Sequence, residues 1–467
     1  MLAIMVLVGI VYGSTLRAGH PWGGDFSQYI HHAKNLVEGR AYHQTGYIYN
    51  PCYATLGPET FPPVFPLILV PSYYVFGFNL TPMKYSVILF FLLALWCVYL
   101  TFRDELSFPY LITALSLLAF HPYFWEMKDE ILSDIPFLCF VYLGLFLIQK
   151  TYQSTRAPRK ISTLCLGLTI YSAYGTRSLG LILLVSLLVC DVIQRRRISA
   201  FAVTTSLITG ILIVLQALFF HSDRSYIDQF MQINLQSSLQ NAVLYTKRLS
   251  LFWNNGYSHS ARHVLFTVTT IAACFAYGIR VKKTLGILEI FSVFYIAAII
   301  IFPFGQMRYV IPLLPLYVFY ISWAIQYLHH SLGTPRAAKW SLAALLVAAF
   351  AVYAAQYSTM DYGPIREGVA KKENVELFAY IKAHTDQNDV FFFRKPRVLA
   401  LFTGRKASYS HDVHSDAELW DFLRKIEAAY FIIGTLDTAQ VADFVERQQE
   451  AFELVYSNAD VHVYKIL

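Results

Sequence analysis

Four charged side chains carry the chemistry that this sequence offers. They are Asp25 in Gly23-Gly24-Asp25-Phe26-Ser27-Gln28-Tyr29, Asp134 in Ser133-Asp134-Ile135-Pro136-Phe137, Arg177 in Gly175-Thr176-Arg177-Ser178, and Arg308 in Gln306-Met307-Arg308-Tyr309. A carboxylate takes a proton from an incoming nucleophile, and an arginine, always charged and planar, grips a phosphate at two points. Together they suit a group transfer in which a phosphate departs. Such a leaving group is already a stable anion, so the protein must supply a base for the acceptor and positive charge for the phosphate. Asp25 is the expected base and Asp134 its companion, there to orient the acceptor. Arg308 and Arg177 are the expected phosphate grips, and Tyr29, Glu59, Glu130 and Tyr309 are expected to line the substrate. Asp25 and Asp134 are also candidates to share a divalent cation, because oxygen ligands suit Mg²⁺, Mn²⁺ and Ca²⁺.

Each residue has an ordinary alternative. Asp25 stands where an Asp caps a helix beginning near Phe26, and Asp134, just ahead of Pro136, fits helix-start chemistry. Arginines at span ends also snorkel to lipid headgroups. Company favours chemistry: Asp25 adjoins two glycines and an aromatic-rich loop that runs into Glu59-Thr60-Phe61-Pro62-Pro63-Val64-Phe65-Pro66. A second acidic stretch, Trp125-Glu126-Met127-Lys128-Asp129-Glu130, follows. Lys247, Arg248 and Arg262 leave both readings open, since their long loop also reads as a solvated amphipathic lid.

These residues must be positioned by membrane-embedded elements. Hydrophobic residues make up 56% of the chain and charged residues only 14%, against roughly 25% charged in soluble domains. The mean hydropathy is +0.45. With 467 residues, the chain reads as a polytopic helical membrane protein with room for one small soluble domain. The net charge of +7 fits cytoplasmic loops on anionic lipid and not nucleic-acid binding. About eleven spans are expected, near residues 1–16, 82–102, 109–125, 134–149, 161–176, 178–194, 198–220, 263–279, 285–303, 309–328 and 340–357. The first lacks a basic n-region and a cleavage site, so it reads as a span and not a signal peptide. The apolar stretch from Val64 to Phe78 is broken by Pro71, Ser72 and Tyr73 and reads as an interfacial helix on the outer surface.

Under the positive-inside rule, Arg103, the Lys150/Arg156/Arg159/Lys160 cluster, Arg195 to Arg197, Arg280/Lys282/Lys283 and Arg336/Lys339 mark the cytoplasmic side. The first loop (17–81), the 126–133 loop, Arg177, the 221–262 loop and Arg308 then share the outer face, as a site assembled from several loops requires. Five of the six cysteines lie in apolar spans, where they behave as small hydrophobes, and no disulfide or metal-type cysteine pair is expected.

After Tyr357 charges become frequent and apolar runs shorten. Residues 358–467 read as an extracytoplasmic α/β domain following the 1–357 membrane module. Its expected helices are Glu373 to His384, Ala417 to Glu427 and Thr438 to Gln449. Its expected strands are Val390 to Phe393, Tyr430 to Ile433 and Phe452 to Tyr456. It carries no nucleotide-binding glycine motif. Lys395-Pro396-Arg397 and Thr403-Gly404-Arg405-Lys406 could form a basic site, but solvated loop charge is the favoured reading.

The order of these motifs resembles the GT-C glycosyltransferases, in the branch holding protein O-mannosyltransferases and the lipid A aminoarabinose transferase. The resemblance rests on Gly24-Asp25 with Tyr29, Pro62-Pro63-Val64-Phe65-Pro66-Leu67 with Phe76-Gly77, Ser133-Asp134-Ile135-Pro136-Phe137, and Arg308-Tyr309 with Pro312 and Pro315. It covers roughly residues 1–330. It implies inverting transfer of a sugar from a polyprenyl-phosphate donor to an acceptor on the outer face, in membrane lipid, with Asp25 as base. Many relatives carry Glu after the loop Asp where Phe26 stands here, and the luminal insert of the protein mannosyltransferases is absent. The compact tail points to a bacterial inner membrane, with site and tail periplasmic. The alternative of a transporter or flippase of lipid-linked sugars finds no inverted repeat and few mid-membrane charges in its support.

Overall fold

The sequence folds largely as the apolar pattern directs: helix occupies the expected spans, but that at 109–125 breaks into two helices, Phe108–Ala119 and Pro122–Met127. The computed structural model describes residues 1–51, 57–154, 159–220, 233–254, 258–303, 305–333, 335–410 and 415–467, with the side chains of 332 and 335–339 left aside. Cys52, Arg156 and residues 221–232 lie outside the described residues, as do the side chains of Arg336 and Lys339. The membrane part runs α1 (Leu2–Ser14), α2 (Asp25–Glu38), α3 (Val64–Phe76), α4 (Leu80–Phe102), α5 (Phe108–Ala119), α6 (Pro122–Met127), α7 (Asp134–Gln153), α8 (Lys160–Thr176), α9 (Leu181–Arg195), α10 (Ala200–Phe219), α11 (Leu235–Ser250), α12 (His259–Lys283), α13 (Ile287–Ile301), α14 (Leu313–Leu332) and α15 (Pro335–Thr359). Among the described residues six helices are long and apolar enough to cross a membrane, and α1, α3, α5 and α13 are shorter apolar helices. The protein is an integral membrane protein.

Helix α4 packs along α7, α12 along α14, and α8 between α7 and α10. Some hydroxyls within the apolar helices bond back to their own turn, as Thr101 does to Cys97 O at 2.8 Å, while those of Ser186, Thr205 and Ser322 are buried without a partner. At the helix ends remote from Asp25, Arg280 locks α12 to α13 and to the loop that follows α4. Its Nε meets Glu289 at 2.6 Å and its Nη1 meets Glu105 at 2.9 Å. Removing either carboxylate would leave that guanidinium, 7% exposed, short of a partner in a low-dielectric setting.

The first loop carries two helices, α2 and α3. Helix α2 packs on α3 and stops at Gly39, whose φ of +66° is a conformation that glycine adopts without steric cost.

The tail carries a five-stranded sheet in the order β2 (Lys406–Ser408), β1 (Val390–Phe392), β3 (Ala428–Gly434), β5 (Val461–Ile466), β4 (Phe452–Ser457). Strands β2, β1 and β3 are parallel, and β5 runs antiparallel to β3 and β4. Its helices are α16 (Lys372–His384), α17 (Pro396–Thr403), α18 (Asp416–Lys425) and α19 (Ala439–Arg447). Strands β2 and β5 and helix α17 go beyond the sequence reading. Alternation along β1 and β3 splits the two faces. Phe392 and Phe431 pack on Leu419, Leu423 and Phe444 in a core of the tail's own. Phe391 and Ile432 belong to the core that continues into the membrane part.

Candidate active site

Asp25, Asp134, Arg177 and Arg308, spread over 283 residues, meet in one ion-pair chain. Gly24 is the N-cap of α2, so Asp25 is the first helical residue and does not cap. Its carboxylate turns away from the helix: Oδ2 accepts from Arg308 Nη2 and Oδ1 from Arg397 Nη1 at 3.1 Å. Asp134 opens α7 behind Ser133 and accepts from Arg177 Nη1. Its Oδ2 lies 3.9 Å from Arg308 Nη1 and has no hydrogen-bond partner. Arg308 sits on a 3₁₀ turn, Met307–Val310, and is steadied by Gln306 Oε1 at 2.6 Å. It therefore bridges the two carboxylates.

Aromatic residues frame this chain. Arg177 lies over the Tyr309 ring at 4.9 Å, within cation–π range. Tyr29 sits between Phe61 and Phe65, with ring centroids at 4.7 and 4.8 Å, and its hydroxyl meets Ser133 Oγ at 2.8 Å, tying α2 to the start of α7. Burial pushes the Tyr29 hydroxyl up to about 12, so it stays a neutral hydrogen-bonding group. Glu59 contributes its carbonyl, which accepts from Gln28 Nε2.

Electrostatics fix the protonation of Asp25. Burial alone would raise its pKa, but the Arg308 and Arg397 guanidiniums outweigh this and hold it below the usual carboxylate range. Glu130 behaves oppositely: burial pushes it up to about 7, against the pull of Lys84 and Arg308. It faces His20 at 3.9 Å. That histidine is neutral, since burial lowers it to about 3. Its Nε2 accepts from the Ile131 amide at 3.1 Å, and Nδ1 contacts Pro21 O at 2.9 Å. Glu130 thus lies beside the ion-pair chain, not in it.

Two contributors escape the sequence reading. Lys84, in the second turn of α4 and 1% exposed, donates to the carbonyls of Arg17 and Gly19 at 2.8 and 2.6 Å and lies 3.7 Å from Asp129. It holds the segment just ahead of Asp25. Arg397 overturns the reading of Lys395-Pro396-Arg397 as solvated loop charge: its side chain is 4% exposed and reaches Asp25. Burial there is possible because Asp25 and the Pro58 carbonyl receive its charge and its N–H groups. The neighbouring Arg405 is structural, donating to the carbonyls of Thr385, Lys382 and Thr403.

The residues do not fit a divalent cation between Asp25 and Asp134. Arg308 occupies the bridging position, each carboxylate has a further arginine, and among the described residues no group of three or more His, Cys, Asp or Glu is placed to ligate a metal. A dication set among three guanidiniums would meet like charge at close range. What the cluster does hold is a surplus: three guanidiniums against two carboxylates leave one positive charge. Next to it, beyond Tyr123 and Met307, lies a cavity of ≈ 550 Å³ lined also by Arg17, Glu126, Asn254 and Asp361, within the roughly 300–1,000 Å³ typical of small-ligand pockets.

The comparisons with known proteins bear on the fold that carries this site. Residues 60–220 match the family model described as dolichyl-phosphate-mannose-protein mannosyltransferase. The structure superposes on ArnT from Cupriavidus metallidurans, solved bound to undecaprenyl phosphate, with a TM-score of 0.62, 12% identity, and 99% of this chain and 97% of that one covered. The apo form of that protein gives a TM-score of 0.63 at 14% identity, with the same coverage. The archaeal oligosaccharyltransferase AglB from Archaeoglobus fulgidus, in complex with an inhibitory peptide and a dolichol-phosphate, gives 0.59 at 11% identity, covering 93% of this chain and 69% of that one. None of the curated proteins compared matches the sequence. The chain has the fold of the GT-C glycosyltransferases, in the form seen in ArnT.

Proposed function

We propose that this protein is an inverting glycosyltransferase that moves a sugar from a polyprenyl-phosphate donor to a lipid, glycan or protein acceptor at the outer face of the membrane. The observation that carries this reading is the single surplus positive charge of the Asp25–Arg308–Asp134–Arg177–Arg397 cluster. A polyprenyl-phosphate sugar is a phosphodiester with one negative charge, which that surplus neutralises. The neighbours' bound undecaprenyl phosphate and dolichol-phosphate and the partial family match support the same donor class.

In this mechanism Arg308 and Arg177 turn unused N–H groups toward the phosphate. The acceptor's nucleophilic atom attacks the anomeric carbon from the side opposite the phosphate, the bond between that carbon and the phosphate oxygen breaks, and Asp25 takes the acceptor's proton. The phosphate leaves with the bonding pair, and its growing charge is met by the guanidiniums, which are already in place and so cost no reorganisation. One displacement inverts the anomeric centre. Asp25, kept ionised by its arginines, is competent over a wide pH range but is a weak base, so it acts by orienting the acceptor and receiving the proton late. The Asp25 loop and the tail face the periplasm of a bacterial inner membrane in this proposal.

The test is incubation of purified protein with a panel of polyprenyl-phosphate sugars and crude membrane acceptors, following free polyprenyl phosphate and the anomeric configuration of the product. Release with inversion supports the reading. Release with retention, or none from folded protein across the panel, refutes it.

A further inference from the structure

The tail domain is joined to the first loop on both sides of α2. Ahead of Asp25, Ile365 N–H donates to Ala18 O at 2.9 Å and Val369 N–H to His20 O at 3.2 Å, while Arg17 pairs with Asp361 at 2.9 Å. Beyond α2, Tyr47 forms a parallel bridge with Ala407. Ala407 N–H donates to Gly46 O and Ile48 N–H to Ala407 O, both at 2.9 Å, and Ser408 Oγ donates to Ile48 O at 2.8 Å. The loop thus adds a strand-like segment to the β2 edge of the tail sheet, the mode by which an exposed edge captures an extended segment. The second face of that sheet shares its core with the membrane part.

This docking places Arg397, at the first turn of α17, against the catalytic carboxylate. Its guanidinium lies over the rings of Tyr47 and Phe61, at 4.6 and 4.8 Å. Nη2 donates to Pro58 O at 2.8 Å and Nη1 to Asp25 at 3.1 Å. Its Nε has no partner. A guanidinium that covers its charge with two rings, one carbonyl and one carboxylate, while leaving an N–H unpaired, is held by what it does at Asp25 and not by a full set of its own bonds. The two ends of Asp25 are thereby divided: Arg308, from the membrane part, takes one oxygen, and Arg397, from the tail, takes the other.

We propose that Arg397 is a positioning residue for the transfer reaction, so that the base is correctly aimed only when the tail domain is seated on the first loop. This rests on the glycosyltransferase reading above, with Asp25 as base. It makes the tail a part of the active site.

The test compares full-length wild type, Arg397→Gln and Arg397→Lys for kcat, KM and the acid limb of the pH–rate profile, with thermal melts to establish folding. An arginine beside an aspartate lowers its pKa by about 1–3 units, so Arg397→Gln is expected to move the acid limb to higher pH by about one to two units. Its kcat is expected to fall roughly 100-fold, the scale of a misplaced reacting group, with KM for donor little changed. Lysine keeps the charge but cannot serve Asp25 and Pro58 together. Its acid limb is expected to stay near wild type with kcat down by about tenfold. Folded Arg397→Gln with wild-type kcat and limb overturns the proposal. Should that variant not fold, a wild-type kcat in Arg397→Lys overturns it. Should wild type itself release no polyprenyl phosphate, the glycosyltransferase reading fails and the positioning claim is read from infrared titration of the Asp25 carboxyl, assigned by its loss in Asp25→Asn. A titration unmoved by Arg397→Gln then refutes it.

Discussion

Replacing Arg308 by Gln probes the bridge between the two carboxylates. Arg308 is 20% exposed, Asp25 22% and Asp134 2%, so the interaction is largely shielded from solvent screening. After the change Asp25 keeps Arg397 and Asp134 keeps Arg177, and the cluster becomes two guanidiniums against two carboxylates. The surplus positive charge is gone, and the departing phosphate meets a neutral site. Removing one preorganised group of this kind costs about 10²–10³ in kcat, roughly 2.7–4 kcal/mol. The loss is not one of base ionisation. Asp25 is held below the usual carboxylate range, and losing Arg308 raises it back toward that range while Arg397 remains beside it, so it stays ionised at neutral pH and only the acid limb moves upward. The assay is single-turnover release of polyprenyl phosphate at saturating donor, with KM measured separately. A kcat within about threefold of wild type, with only KM raised, shows that Arg308 binds ground and transition states equally and refutes the argument from surplus charge.

Glu130→Gln removes a carboxyl raised from its ordinary 4.5 to about 7. Because the folded state holds this proton after the unfolded chain has lost it, Glu130 costs stability progressively as pH rises from about 4.5 to 7 and by a constant amount above. Thermal melts should therefore show the Glu130→Gln variant gaining on wild type at pH 8 relative to pH 5, and an equal difference at both would contradict the assigned environment. Gly368 has φ of +122°, and an added Cβ would run into the His20 carbonyl and lie 2.9 Å from Pro21 Cα. Gly368→Ala should loosen the tail from the first loop, costing about 1–3 kcal/mol, and limited proteolysis after Tyr357 should become faster; unchanged cleavage would mean the junction yields without cost. Because Arg308 bridges Asp25 and Asp134 where a cation would sit, turnover should persist in excess chelator, and loss restored by added Mg²⁺ or Mn²⁺ would overturn that geometry.

The helices were readable because apolar runs long enough for a bilayer have few alternatives, and the four central residues because charge at the ends of such runs stands out. Arg397 was not readable for the opposite reason. In a tail rich in charge, Lys395-Pro396-Arg397 has the composition of a solvated loop, and its burial depends on a contact across 372 residues. The one local sign was the apolar run Val398-Leu399-Ala400-Leu401 directly after it, all buried in α17. Strand β2 spans three residues, too few to show a period, whereas β5 alternates Val461 and Val463 with His462 and Tyr464 and did carry a signal. Lys84 was hidden inside a span, where one charge in an apolar helix reads as a headgroup contact and not as the peg that holds Arg17 and Gly19.

The most direct measurement is release of free polyprenyl phosphate by wild type and Asp25→Asn, side by side, with the same donors and membrane acceptors. Wild type should release the lipid phosphate and transfer the sugar, while the Asp25→Asn variant, with no carboxylate to receive the proton, should fall by at least about 10² at every pH. Equal release by both proteins would remove Asp25 from the chemistry and with it the active site described above.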